Sequence, residues 1–119
     1  MAVTYTTAAK TARITATRDH FANGTLEILT SADALLVTFG LSASGGSIAG
    51  AVWTLAFDAS TVAASAAGTA AKAQIKTAGA VADLTGLTVG TSGADINLDN
   101  TSIASGQNVT LSSATITHA

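Results

Sequence analysis

Leu84–His118, LTGLTVGTSGADINLDNTSIASGQNVTLSSATITH, decides the fold. Short apolar alternations are cut at close intervals by Gly, Ser and Asn, the signature of β-strands joined by tight turns. Ile96 and Leu98 fall on one side of a two-residue period, with Asp95, Asn97 and Asp99 on the other. Val109 and Leu111 repeat that period. The phase slips twice, once between Leu84 and the Leu87, Val89 pair with Gly86 in the gap, and again between Leu111 and Ile116. A glycine at a slip of phase predicts a β-bulge or a strand corner.

Working back from there, Lys72–Thr77 alternates, with Ala73 and Ile75 against Gln74 and Lys76, before a turn at Ala78-Gly79-Ala80. Residues 58–71 (DASTVAASAAGTAA) are small in every side chain and read as a surface loop. Trp53, Leu55 and Phe57 form the heaviest alternation, which places Trp53 in the core on a central strand. Ser42–Gly46 (SASGG) reads as a loop. Before it, Leu35, Val37, Phe39 and Leu41 alternate, and Thr25–Thr30 puts Leu26 and Ile28 opposite Glu27. Ser31-Ala32-Asp33 turns the chain between these two strands.

The N-terminal part differs. Thr6–Gly24 (TTAAKTARITATRDHFANG) reads as a helix over about residues 6–22, with Thr6 or Thr7 as the cap and Asn23-Gly24 as the stop. Ile14 and Phe21, seven apart, share one face. A strand is the competing reading, because Ala12, Ile14 and Ala16 also alternate with Arg13, Thr15 and Thr17. Residues 1–5 (MAVTY) read as an extended arm. The chain is therefore expected to be mainly β. One domain over residues 6–119 would carry an N-terminal α-helix and about eight short strands over 24–117, arranged as a β-sandwich or jelly roll.

Composition narrows the function. The chain has 119 residues, 48% hydrophobic but only 4% aromatic, so its apolar content is mostly small side chains that each bury little area. Tyr5, Phe21, Phe39, Trp53 and Phe57 are the large anchors. Charged residues make up 10% and the net charge is −2, which argues against a nucleic-acid partner and a polybasic membrane contact. No cysteine is present, so disulfides and thiolate metal sites are excluded. No leader and no apolar run of membrane-spanning length is visible, and the chain reads as a soluble protein.

The chemical candidates are few. Asp95, Asn97 and Asp99 follow the D-x-[DN]-x-[DN] form of a calcium loop. Asn100 and Gly106 stand where that loop needs glycine and a bidentate glutamate, and a straight strand would spread the oxygens apart. Asp19 and His20 are neighbours on the expected helix and point about 100° apart; His118 sits beside the end of the sequence. There is no G-x-S-x-G, G-x-x-x-x-G-K or G-x-G-x-x-G pattern, and Glu27 is the only glutamate. No catalytic, metal or cofactor-binding residue is assigned, and the expectation is a protein that is not an enzyme and uses no cofactor. A free carbohydrate-binding module would need exposed aromatics; only Trp53 and Tyr5 are spare, and the alternation assigns Trp53 to the core.

The sequence also carries a resemblance. The Y-T-T-A-A-K-T-A-R segment, the G-T-L-E-I strand and above all Val89–Thr117 (VGTSGADINLDNTSIASGQNVTLSSATIT) resemble small virion structural proteins of tailed bacteriophages. Tails in that group read G-T-S-G-x-D-L-N-L-N-T-T-S-I followed by an alternating final strand. The resemblance implies a β-rich structural part of the virion, assembled in the host cytoplasm, either a capsid decoration or cement protein or a tail or tail-fibre accessory contacting the host surface or glycan. Its implied partners are other virion proteins, such as a major capsid or tail protein. The light core and scarcity of edge-blunting charges add the expectation of a homo-oligomer, a trimer before a dimer.

Overall fold

The computed structural model describes residues 6–117; the expected arm at 1–5, with Tyr5, and His118 lie outside them. The first element is α1 (Thr7–Phe21). Thr6 caps it in an extended conformation, its hydroxyl accepting the Ala9 N–H at 3.2 Å, which satisfies one of the donors a helix start leaves open. The helix stops where Asn23 turns left-handed (φ 64°). There the Gly24 N–H returns to the Phe21 carbonyl at 2.8 Å. Only Ile14 and Phe21 are buried on the helix, the pair that the seven-residue spacing places together.

Ten strands follow among the described residues: β1 (Thr25–Leu29), β2 (Leu35–Ala49), β3 (Val52–Phe57), β4 (Thr61–Ala63), β5 (Gly68–Thr69), β6 (Lys72–Lys76), β7 (Ala82–Gly90), β8 (Ile96–Leu98), β9 (Ser102–Ile103) and β10 (Asn108–Thr117). The main sheet runs β3-β2-β1-β6-β7-β8-β10, and β10 then pairs with β3. Seven strands thus close on themselves, and β4 adds to the far end of β10. The protein is mainly β with one N-terminal helix. The main sheet is barrel-like and shows no clear division into the two sheets of a sandwich or jelly roll, because β10 reaches from β8 to β3 and joins what would have been two edges.

The core fills this closed sheet. Leu26, Ile28, Phe39, Trp53, Ile75, Ile96 and Val109 have no exposed surface, and no polar side chain is buried among the described residues. Trp53 has neighbours on both sides, Ile48 on β2 and Ile116 on β10. Its ring stacks on Phe21 with centroids 6.3 Å apart. Its indole N–H donates to the Gly45 carbonyl at 2.9 Å, so the one polar atom of the largest core side chain is paired.

Three local expectations are corrected. Ser42–Gly46 is not a loop but a large bulge inside the long β2: between the Leu41–Phe57 and Gly46–Leu55 pairs, β2 spends four residues to one on β3. Gly45 and Gly46 make this possible at φ 74° and 123°, a region that side chains disfavour. Residues 58–71 are not a plain surface loop, since β4 pairs with β10 and β5 with β9. Ala64 and Ala70 are buried there, and their small side chains let the backbone approach, as in the Ala64 N–H to Gln107 carbonyl bond at 2.8 Å. Leu35 faces solvent while Leu36 is buried, because the register shifts opposite Ile28 and Leu29. The two predicted slips are present as irregularities opposite Gly86 and between Leu111 and Ser113.

Candidate functional site

The seam between β7 and β8 is the narrowest joint in the barrel. These strands run parallel and pair only at Val89–Ile96 and Gly90–Asn97. A parallel pair ordinarily needs a crossover of a dozen or more residues; five residues suffice here because the overlap is so short. Side chains supply what the ladder lacks. Asp95 and Thr88 are reciprocal: the Asp95 carboxylate accepts the Thr88 N–H at 3.2 Å, and the Thr88 hydroxyl accepts the Asp95 N–H at 3.0 Å.

The other members of the acidic row serve the same joint. The Asn97 amide accepts the Ala94 N–H at 3.1 Å and donates to the Ala94 carbonyl at 3.0 Å and the Ser113 hydroxyl at 2.8 Å. Asp99 accepts the Thr110 N–H of β10 at 3.2 Å. Ile96 and Leu98 point inward between them, as the two-residue period predicts. The row is thus a polar latch, with Asp95 holding β7 and Asn97 and Asp99 holding β8 to its own turn and to β10. No cluster of three or more His, Asp or Glu groups suited to a metal ion occurs among the described residues.

The remaining candidates are dispersed. Asp19 pairs with Arg18 at 3.0 Å, while the His20 ring meets Phe21 edge-on at 5.0 Å. Glu27 sits on the outer face of β1, accepting the Gln74 amide at 2.7 Å and pairing with Lys76 at 3.2 Å. These are cross-strand contacts between β1 and β6.

Below the seam lies a surface that the sequence did not reveal. β6 pairs with one edge of β7 from Ala82 to Thr88, but β8 reaches only Val89 and Gly90 on the other. Between Ala82 and Leu87 that second edge has no strand beside it among the described residues. Next to it, a groove of about 500 Å³ separates β7 from α1, lined by Ala16, Thr17, His20, Phe21 and Leu84. Val81, at the start of this edge, is 55% exposed. The stretch is irregular, because the β6–β7 register shifts twice within it, once between Leu87 and Leu84 and again between Leu84 and Ala82. Gly86 marked a bulge here, but nothing in the sequence shows which edge of β7 lacks a neighbour.

Comparisons of the chain with protein-family models, curated proteins and solved structures found no match. No helix of the described residues is long and apolar enough to cross a membrane.

Proposed function

We propose that the chain is a non-enzymatic structural protein of a tailed-bacteriophage virion, assembled in the host cytoplasm as a capsid decoration or cement protein. It acts as a homo-oligomer, a trimer first, held against a major capsid or tail protein. The observation that carries this reading is the Val89–Thr117 pattern and its resemblance to virion proteins. Two features of the molecule support it. One side-chain oxygen each of Asp95, Asn97 and Asp99 accepts a backbone N–H, from Thr88, Ala94 and Thr110, which is a structural use of the row. The stretch of β7 that has no strand beside it among the described residues is a surface that neighbours in an ordered array can cover.

The alternative within the same class is a tail or tail-fibre accessory that touches the host surface or a glycan. Counting copies per particle by quantitative mass spectrometry of purified virions separates the two. Hundreds of copies are expected for a capsid decoration protein and a handful for a tail-tip part. Absence of the chain from purified virions overturns both.

A further inference from the structure

We infer that Asn23 is a modification site: it deamidates through its own backbone once the junction of α1 and β1 opens, and the isoaspartate formed there prevents the chain from refolding. The reaction consumes only water. The Gly24 backbone nitrogen attacks the side-chain carbonyl carbon of Asn23. Its proton leaves with the amide nitrogen as ammonia, and a cyclic imide remains. Water then opens either ring carbonyl, giving aspartate or, with the main chain rerouted through the side chain, isoaspartate.

The labile pair is imposed by geometry. Helix α1 ends where Asn23 adopts φ 64°, a left-handed conformation that asparagine enters more readily than most residues with a side chain. Position 24 requires glycine, because a Cβ there would stand 2.0 Å from the Lys76 carbonyl oxygen and 2.8 Å from that of Phe21. Of the asparagines, Asn23 alone precedes a glycine. Asn97, Asn100 and Asn108 precede Leu98, Thr101 and Val109, whose side chains crowd the closing ring.

The same geometry restrains the reaction in the folded chain. Asn23 is exposed but Gly24 is buried, so water reaches the side-chain amide while the nucleophile is held. The Gly24 N–H donates to the Phe21 carbonyl at 2.8 Å, and that proton must be lost for the nitrogen to attack. Further bonds fix the pair on both sides. The Asn23 N–H donates to the Ser42 carbonyl at 3.2 Å, and the Gly24 carbonyl accepts the Leu41 N–H at 2.9 Å. Attack therefore waits for a local opening of this junction. Isoaspartate lengthens the main chain between these anchors, so the end of α1 and the bonds to β2 no longer fit together.

The test incubates the full chain and an Asn23→Gly variant at neutral pH, folded and in guanidinium chloride, with peptide mass spectrometry followed by refolding. Glycine keeps the left-handed turn and removes the reacting amide. In denaturant, Asn23 is expected to convert ahead of Asn97, Asn100 and Asn108. In the folded chain its conversion is expected to be slower by about tenfold or more, since it proceeds only through the opened fraction. On removal of denaturant, the aged wild type should recover native Trp53 emission only in its fraction free of isoaspartate, whereas equally aged Asn23→Gly recovers fully. Equal rates in the folded and unfolded chain overturn the restraint by the fold. An isoaspartyl chain that refolds with an unchanged melting temperature overturns the block to refolding.

Discussion

At the scale of single residues, Trp53 carries the largest share of the core. It is fully buried, stacked on Phe21 and bonded to Gly45. Trp53→Ala is expected to cost about 3–5 kcal/mol, the range for a large aromatic removed from a core, measured by urea denaturation. Unchanged stability would reject its central place. Trp53 is also the only tryptophan, so its fluorescence reports unfolding directly. Two glycines give a sharper contrast. A Cβ at Gly46 would stand 2.1 Å from the Thr54 carbonyl oxygen, with φ at 123°; at Gly86 φ is 79° but nothing lies within 4 Å. Gly86→Ala therefore incurs only the backbone term, about 1 kcal/mol. Gly46→Ala adds a clash with backbone that cannot move aside, and its loss in melting temperature is expected to be clearly the larger.

At the scale of elements, the β7–β8 seam depends on side chains more than on its ladder. Asp95→Ala removes the acceptor of the Thr88 N–H, while the backbone N–H at position 95 can still donate to the Thr88 hydroxyl. With a net value of about 0.5–1.5 kcal/mol per hydrogen bond, rising to about 3 for a charged acceptor, the expected loss is about 1–3 kcal/mol. Amide exchange should quicken first at Thr88 and Ile96–Leu98, because a local opening samples the weakest joint before the whole fold. Uniform acceleration across all strands would argue against a local latch. Calcium is expected to leave the melting temperature unchanged, since Asp95, Asn97 and Asp99 already hold protein donors. A clear rise with millimolar calcium that a chelator reverses would show that these oxygens can be recruited by an ion.

At the scale of the whole molecule, closure is made by the last residues of β10. Thr115, Ile116 and Thr117 pair with Thr54, Trp53 and Val52, joining the end of β10 to a strand some sixty residues earlier. Truncation after Ala114 removes this contact and uncovers the edge of β3 beside Trp53. The expected outcome is loss of cooperative unfolding, with tryptophan emission shifted toward that of the denatured chain. A truncated protein with native emission and a sharp transition would mean that closure adds nothing to stability. Because closure is non-local, refolding is expected in the slow range of all-β domains, about milliseconds to seconds, as stopped-flow fluorescence of Trp53 would show.

What the sequence by itself determined is what depends on neighbours along the chain. The helix and its Thr6 cap, the buried Ile14 and Phe21, the inward sets on β1, β3, β6 and β8, and the slips near Gly86 and Leu111 all follow from local period, cap and turn chemistry. Tertiary structure decided the rest. SASGG looked like a loop because nothing local shows that Gly45 will meet the Trp53 indole and Gly46 the Thr54 backbone. The strands at Thr61–Ala63 and Gly68–Thr69 are too short and too uniformly small to display a period. The polar use of Asp95, Asn97 and Asp99 was visible as a row, but their partners Thr88, Ser113 and Thr110 become neighbours only when three strands meet. Whether two sheet edges stay apart or join, and which part of β7 is left open, depends on contacts between residues far apart in the chain. An alternating pattern says which side chains face inward, but it does not specify which strand lies alongside.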